Sequence, residues 1–331
     1  MANPLVAVCT VTHNAAADLP AYLEALERLS HRPLEVIVVD CASSDPTRET
    51  LADASIRGAS FRRIELEDNV GFAGGMNRAI AATSAPFVLS LNADALPETD
   101  FVERLLERFR SHPETRIGAV TGRLLRPPEG QKPILDAAGM RLVANWRHLD
   151  RGSDERDVGQ YSRPERVFGA TGAASLFYRP ALEDAAVDGE FFLEEFHSFR
   201  EDAELCFRLR ERGWEVVYEP LARASHRRHN LPRRRRSMPS HVNYHSLKNR
   251  FLLRAYHETW ASFPVTFLPS LFRDLGAIAY VLVRERSSLP VFGWLWRNRD
   301  HIVRRRRRIQ SRRTVSRRQL AGWFLRSGRP L

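Results

Sequence analysis

Apolar positions along the first 125 residues alternate between two periods. LVAVCTVT (5–12) and LEVIVVD (34–40) are apolar, β-branched runs, as buried parallel strands are. Between them, DLPAYLEALERLS (18–30) carries Leu19, Leu23, Leu26 and Leu29 as a helical stripe. SSDPTRETLADA predicts a second helix, with Asp45 as N-cap and Pro46 at the first helical position. FRRIELE (61–67), FVLSLNAD (87–94) and IGAVTGRLL (117–125) read as strands. GGMNRAIAATSA, entered through a glycine-rich turn, and DFVERLLERFRSH (100–112) read as helices. Alternation of this kind predicts an α/β fold, a Rossmann-like, mostly parallel sheet with helices on both faces.

The pattern then loosens. Residues 127–165 are rich in Pro, Gly and charge and read as an excursion from the core. FGATGAASLFY (168–178) and EVVYEP return to strand character, with EFFLEEFHSFREDAELCFRLRERGW (190–214) between them ending in a helical segment closed by glycine. VNYHSLKNRFLLRAY predicts an amphipathic helix. The apolar stretch from Val265 to Val283 is interrupted by Pro269 and Arg273–Asp274. Its longest unbroken run, Leu275 to Val283, is too short to span a bilayer, so it reads as interfacial, or in part as a homodimer contact.

Charge sharpens this division. Residues 223–331 hold 26 Lys and Arg against 4 Asp and Glu, while the rest of the chain is net acidic, within an overall charge of +11. An acidic body with a basic tail points to a polyanionic partner: nucleic acid, anionic lipid or phosphorylated substrate. Three widely spaced cysteines give neither a disulfide framework nor a zinc site, and fit a reducing, cytosolic setting. No basic n-region precedes the first apolar run, so no signal peptide is expected.

In an open α/β sheet, ligands bind beyond the carboxyl ends of the strands. Those ends read Thr12-His13-Asn14, Asp40, Asp68-Asn69 and Asn92-Ala93-Asp94, a polar rim that a nucleotide could occupy, although each residue is also an ordinary turn or cap former. NVGFAGGMNRAI (69–80) leads glycines into a helix start, which suits a phosphate or ribose, yet it is neither a P-loop nor GxGxxG. LNADA (91–95) sets Asp94 two residues after Asn92, oxygen ligands of the kind Mg²⁺ or Mn²⁺ accepts while holding a diphosphate. Glu201, Asp202 and Glu204 crowd one helix start, where the helix dipole alone would account for them.

VTHN, VVDCASSD, NVGFAGGMNRAI, LNADA, TGAASLFYR and FREDAELCFRLRERGW, in this order, resemble the family 2 glycosyltransferases of GT-A fold, with a likeness to the bacterial rhamnosyltransferase-like branch. The resemblance covers about residues 4–230. It implies a glycosyltransferase domain over 1–230, with 127–165 an acceptor-side insertion and 231–331 a basic, mainly helical extension. It also implies an inverting transfer from a dTDP-, UDP- or GDP-linked sugar, dTDP-rhamnose among them, to a lipid-linked or polysaccharide acceptor of the cell wall or surface. Asp40 matches the aspartate that reads the nucleobase, with Thr12 and Asn14 beside it. Asn69, Gly75 and Asn77 match positions beside the ribose and diphosphate. Asp94 matches the metal-binding aspartate, Asn92 the first position of that motif, and His226 the late histidine that completes the metal site. Gly172 lies in the matching TGAA segment. Asp202 matches the general base, with Glu201 as second choice, and Arg208 the motif's arginine, facing either the phosphates or the acidic cluster. The basic, Trp-bearing tail then suits an anionic membrane surface at the cytoplasmic face. Rival readings are a non-catalytic nucleotide-sugar sensor, a nucleotidyltransferase lacking its basic loop, and a nucleic-acid-binding protein suggested by RRRR (233–236) and RRRRR (304–308). No recognition module supports the last, and no nucleic acid is expected.

Overall fold

The structure is a computed structural model and describes residues 3–127, 133–228 and 239–331; the RRRR run at 233–236 lies outside them. In chain order the first elements are β1 (Val6–Thr12), α1 (Leu19–Arg28), β2 (Leu34–Cys41), α2 (Thr47–Ala52), β3 (Ala59–Leu66), α3 (Gly71–Ala81) and β4 (Phe87–Leu91). β5 (Ala95–Pro97), α4 (Phe101–Ser111), β6 (Ile117–Leu125), β7 (Leu135–Ala137), β8 (Met140–Val143), β9 (Arg147–Asp150) and β10 (Glu165–Arg166) follow. After them come β11 (Ala174–Tyr178), α5 (Arg179–Ala185), α6 (Glu201–Glu211) and β12 (Glu215–His226). The chain finishes with α7 (Ser240–His257), α8 (Phe263–Arg284), α9 (Pro290–Arg297), α10 (Arg299–Ser311), α11 (Arg317–Ala321) and β13 (Arg329–Pro330).

One large sheet runs β13-β10-β12-β6-β11-β4-β1-β2-β3, with β5 on β12 and β7 on β6. Strands β3, β2, β1 and β4 are mutually parallel, and the nearly continuous apolar burial of β1 and β2 is why they read so clearly in the sequence. Beyond β4 the sheet is mixed. β11 is antiparallel to both neighbours, because the chain enters it from the 126–173 segment and not through a crossover helix. The chain runs from β1 outward through β2 to β3, then returns to place β4 on the other side of β1. The crevice between the ends of β1 and β4 is therefore the topological switch point where such sheets bind ligands.

Three expectations need amendment. Helix α2 starts one residue later than predicted, yet Asp45 still accepts from Thr47 N at 3.1 Å. The 127–165 segment is partly core: Leu135, Ala137, Met140, Leu142 and Trp146 are buried, and β7 joins the main sheet. Lastly, residues 263–284 form one unbroken helix despite Pro269, long and apolar enough by length and composition to cross a membrane. Pro269 has no backbone N–H to give the preceding turn. The next residue adds donation there, as Ser270 Oγ donates to the carbonyls of Thr266 at 2.6 Å and Phe267 at 3.0 Å.

The C-terminal helices share the core of the sheet. Leu252, Leu253, Tyr256, Trp323 and Phe324 pack in the same buried cluster as Val39, Phe168 and Phe207. The RRRRR run is largely consumed there as well. Arg305 pairs with Glu190 at 2.7 Å and Glu195 at 3.3 Å, Arg306 donates to the Glu258 carbonyl at 2.6 Å, and Arg308 pairs with Asp188.

Candidate functional site

At the switch point the β1 and β2 ends are tied together by side chains. Asn14, in the left-handed region at φ 55°, accepts from Ser44 N at 2.8 Å and Asp45 N at 3.3 Å. Asp40 is buried and accepts from Arg48 Nε at 2.8 Å, Ser43 N at 3.1 Å and Thr12 Oγ1 at 3.2 Å. Burial alone would raise its pKa, but these donors outweigh burial and hold the carboxyl below its usual range. Asp40 is thus a fixed anion at the crevice floor. Asn69 Oδ1 accepts from Gly71 N at 3.0 Å, setting the turn into α3.

Across the crevice, antiparallel pairing of β12 with β5 puts His226 opposite Ala95 and so beside Asp94. His226 Nε2 lies 3.3 Å from Asp94 Oδ1, and its Nδ1 lies 2.7 Å from Asp136 Oδ2. Burial opposes the charge on His226, but hydrogen bonds to Asp136 and Asp94 push its pKa up to about 9. Arg228 ties Asp136 at 3.1 Å to Asp150 at 2.7 Å. Asp136, Asp150 and Arg228 did not stand out in the sequence. A lone acid inside the apolar ILDAAGM, within a segment read as an excursion, was the available signal for Asp136.

Asp94 and His226 fit a divalent cation provided the cation displaces the proton that the two carboxylates favour on His226. A carboxylate then faces a ring nitrogen, and a second carboxylate on the far ring nitrogen is the usual outer support of a histidine ligand. Among the described residues no cluster of three or more His, Cys, Asp or Glu could hold a metal by itself. A two-residue pair can serve a divalent cation only where substrate phosphate oxygens and water complete its shell.

The loop before β11 joins this pair to the acids of α6. Asn92 N donates to Ala173 O at 2.9 Å, Ser90 Oγ to Gly172 O at 2.6 Å, and Gly172 N to Asp202 Oδ2 at 3.1 Å. A Cβ on Gly172 would stand 3.2 Å from Phe72, so this loop passes close to α3. Burial, then the charge of Asp150, raises Asp202 to about 6, against the donation from Gly172 N. Burial, then the neighbouring Asp202, drives Glu201 well above the carboxylate range; its Oε2 is buried with no hydrogen-bond partner. The two neighbouring carboxyls thus differ in setting: Glu201 is buried with an unpartnered oxygen, while Asp202 is half-buried and held by Gly172 N.

Three residues matched to the donor site are engaged in packing in this structure. Gly75 faces the sheet, where a Cβ would come within 2.6 Å of Val11 Cγ1 and 3.2 Å of Cys41 Sγ. The Asn77 amide is spent on the 191–194 segment, donating to Phe192 O at 2.8 Å and accepting from Phe191 N at 3.1 Å and Phe192 N at 2.9 Å. Arg208 is buried and turns away from the crevice, binding Glu204 at 2.8 Å and the carbonyls of Ala185 at 2.5 Å and Phe191 at 2.6 Å. Of the two orientations expected for Arg208, the acidic one is found. Glu204 also meets the fully buried His257 of α7 at 3.3 Å, which stacks on Phe207.

Known proteins place this geometry. The family model "Glycosyl transferase family 2" matches residues 7–185. The N-acetylglucosaminyl-diphospho-decaprenol L-rhamnosyltransferase of Mycobacterium tuberculosis is 26% identical over 307 residues, covering 84% of this chain and 92% of that protein. The poly-beta-1,6-N-acetyl-D-glucosamine synthase of Staphylococcus aureus is 25% identical over 210 residues, 63% of this chain; the chain spans only 47% of that synthase. Among solved structures, a Pyrobaculum calidifontis mannosyltransferase with GDP-Man and Mn²⁺ superposes with TM-score 0.55 at 18% identity, covering 91% of this chain and 76% of that one. S. aureus TarS 1-349 with UDP-GlcNAc gives TM-score 0.55 at 14% identity over 97% and 87% of the two chains. At these identities the two structures speak to the fold, and the fold is theirs.

Proposed function

The chain belongs to glycosyl transferase family 2, and from that membership we propose that it catalyses inverting transfer of a sugar from a nucleoside-diphosphate donor to an acceptor hydroxyl. The observation that carries this reading is one continuous hydrogen-bonded edge. It joins a cation-ready Asp94–His226 pair to a half-buried aspartate, Asp202, whose pKa of about 6 suits a base.

Asp202 takes the proton of the acceptor hydroxyl as its oxygen attacks the anomeric carbon, on the face opposite the departing diphosphate. The new glycosidic bond forms as the bond to the diphosphate oxygen breaks, so configuration inverts. Gly172 N holds one carboxylate oxygen of Asp202 in place. A base tuned near 6 is ionised at neutral pH and still retains proton affinity. Asp94 and His226 would hold Mg²⁺ or Mn²⁺, which offsets negative charge on the leaving diphosphate. The floor built by Thr12, Asn14 and Asp40 lies where a nucleobase would enter, and Asn69 and Asn92 flank the same crevice.

The donor is a dTDP-, UDP- or GDP-sugar; the mycobacterial relative, an N-acetylglucosaminyl-diphospho-decaprenol L-rhamnosyltransferase, supports rhamnose and a lipid-linked acceptor, and cell-wall or surface glycan synthesis at the inner face of a membrane is the setting we infer. A thermal-shift panel of these nucleotide sugars, with and without Mn²⁺ or Mg²⁺, tests the reading. One nucleotide class at 100 times its Kd is expected to add about 2.7 kcal/mol of stability only when metal is present. No shift with any of them in the presence of metal would sink the donor-site assignment and favour a sensor or scaffold.

A further inference from the structure

Helix α8 is inside out. Its buried residues are Thr266, Ser270 and, near its C-terminal end, Val281, and its half-buried Arg273 and Asp274 are bound to the body and to α7 respectively. Arg273 donates to Asn145 O at 3.0 Å, and Asp274 pairs with Arg250 at 2.6 Å and Arg254 at 2.9 Å. Facing outward are Phe263, Phe267, Leu268, Leu271, Phe272 and Leu275, one stripe at helical spacing, with Phe272 71% and Leu268 58% exposed. Only 17% of the helix's most apolar window is buried, so it is not a core helix. A contiguous apolar surface of this extent marks a contact site.

Charge and aromatic placement identify what covers it. Exposed tryptophans stand before and after the helix: Trp260 is 63% and Trp296 70% exposed. Arg284, Arg286, Arg297 and Arg299 are exposed at and beyond its C-terminal end, with the Arg299 guanidinium 4.8 Å over the Trp296 ring. Apolar surface bounded by tryptophan and arginine is what a boundary between acyl chains and anionic headgroups selects. A second copy of this chain would set the same arginines against one another. The mid-helix pairs also argue against a span, since crossing a bilayer would drag Asp274 and its two arginine partners into hydrocarbon.

We propose that α8 is a membrane-docking helix that lies in the plane of an anionic bilayer surface, its outward stripe sunk to the acyl boundary. A cleft of about 790 Å³ at its N-terminal end is lined by Phe251, Trp260 and Phe263 together with the charged Arg254, Glu258 and Asp274. Through Arg273 the helix grips Asn145, in the turn between β8 and β9, and Asp150 ends the same hairpin and belongs to the Asp202 network. In purpose the proposal rests on the lipid-linked-acceptor reading, because docking here brings the hairpin beside the site to the lipid surface.

The test is flotation of the full chain with vesicles of phosphatidylcholine alone and of equimolar phosphatidylcholine and phosphatidylglycerol, comparing wild type with a Leu268→Ser/Phe272→Ser double variant. Wild type is expected to float with the anionic vesicles, less as salt rises, with blue-shifted tryptophan emission. The variant is expected to lose roughly a hundredfold in partitioning, as removal of two large apolar contacts implies. Its metal-dependent thermal shift with nucleotide sugar should match wild type, which separates failure of this proposal from failure of the donor site. Wild type left unbound by both vesicle types, or a variant that floats equally well, overturns the proposal. So does a wild-type dimer that the double variant converts to monomer without any lipid binding, since the stripe would then be a contact between copies.

Discussion

Asn249, in the middle of α7, tests whether the C-terminal helices set the catalytic geometry. Its Nδ2 donates to the carbonyls of Phe196 at 2.7 Å, Ser198 at 2.9 Å and Phe199 at 2.7 Å. These residues lead into α6, and His197, Phe199 and Arg200 all sit at positive φ, 62°, 70° and 73°. Such a run persists only where its surroundings over-determine it. Asn249→Ala removes two N–H donors and leaves buried carbonyls without partners. At about 1 kcal/mol per net hydrogen bond, plus desolvation of the orphaned oxygens, the cost is roughly 2–4 kcal/mol. For a chain of this length that lowers Tm by about 4 °C. Relaxation of the loop moves the start of α6 and with it Asp202, and a displacement near 1 Å costs roughly a hundredfold in rate. Steady-state kinetics should therefore show kcat falling roughly 10- to 100-fold while the donor KM holds. Asn249→Asp should be worse than Ala, since it turns a carboxylate toward three carbonyl oxygens. A variant with wild-type Tm and wild-type kcat would refute the link between α7 and the base.

Asp202→Asn should abolish transfer while leaving nucleotide binding in calorimetry unchanged; wild-type rates in that variant would remove Asp202 from the base role. With the Asp202 pKa moved from an ordinary 3.8 to about 6, kcat/KM should climb with pH to about 6 and then level. The sign for stability is opposite: the folded state holds the proton more tightly than the unfolded chain, so this group's stabilisation is lost as pH rises through about 6. Asp94→Ala should erase the Mn²⁺ dependence of donor-induced thermal shift, and an unchanged Mn²⁺ response would refute its ligand role. Gly75→Ala, with its new methyl within 2.6 Å of Val11, should cost about 1–3 kcal/mol in chemical denaturation. Little loss there would mean α3 can lift from the sheet.

Periodicity and strand-end polarity were enough to place β1 to β4, α1, α3 and α4, and to point at Asp40 and Asp94; Asp202 and His226 were singled out only by the resemblance to the glycosyltransferase family. Those signals are local: a buried strand must be apolar along its length, and a strand end at a ligand crevice must be polar within a few residues. The partners of those groups lie far along the chain, and only tertiary structure brought them in. Asp136 reaches His226 across 90 positions, and Asn249 reaches Phe199 across 50. Side-chain direction was equally illegible. Gly75, Asn77 and Arg208 sit in the expected motifs, yet each turns toward packing or buried carbonyls, because a helix start says nothing of which neighbour its side chains will meet. The tail shows the same limit. Its arginines left open a free basic surface or a packed appendage, and carboxylates of the body claim Arg305 and Arg313. Its interrupted apolar stretch is one helix whose polar side is engaged, Arg273 with Asn145 of the body and Asp274 with Arg250 and Arg254 of α7, so that the apolar side faces outward.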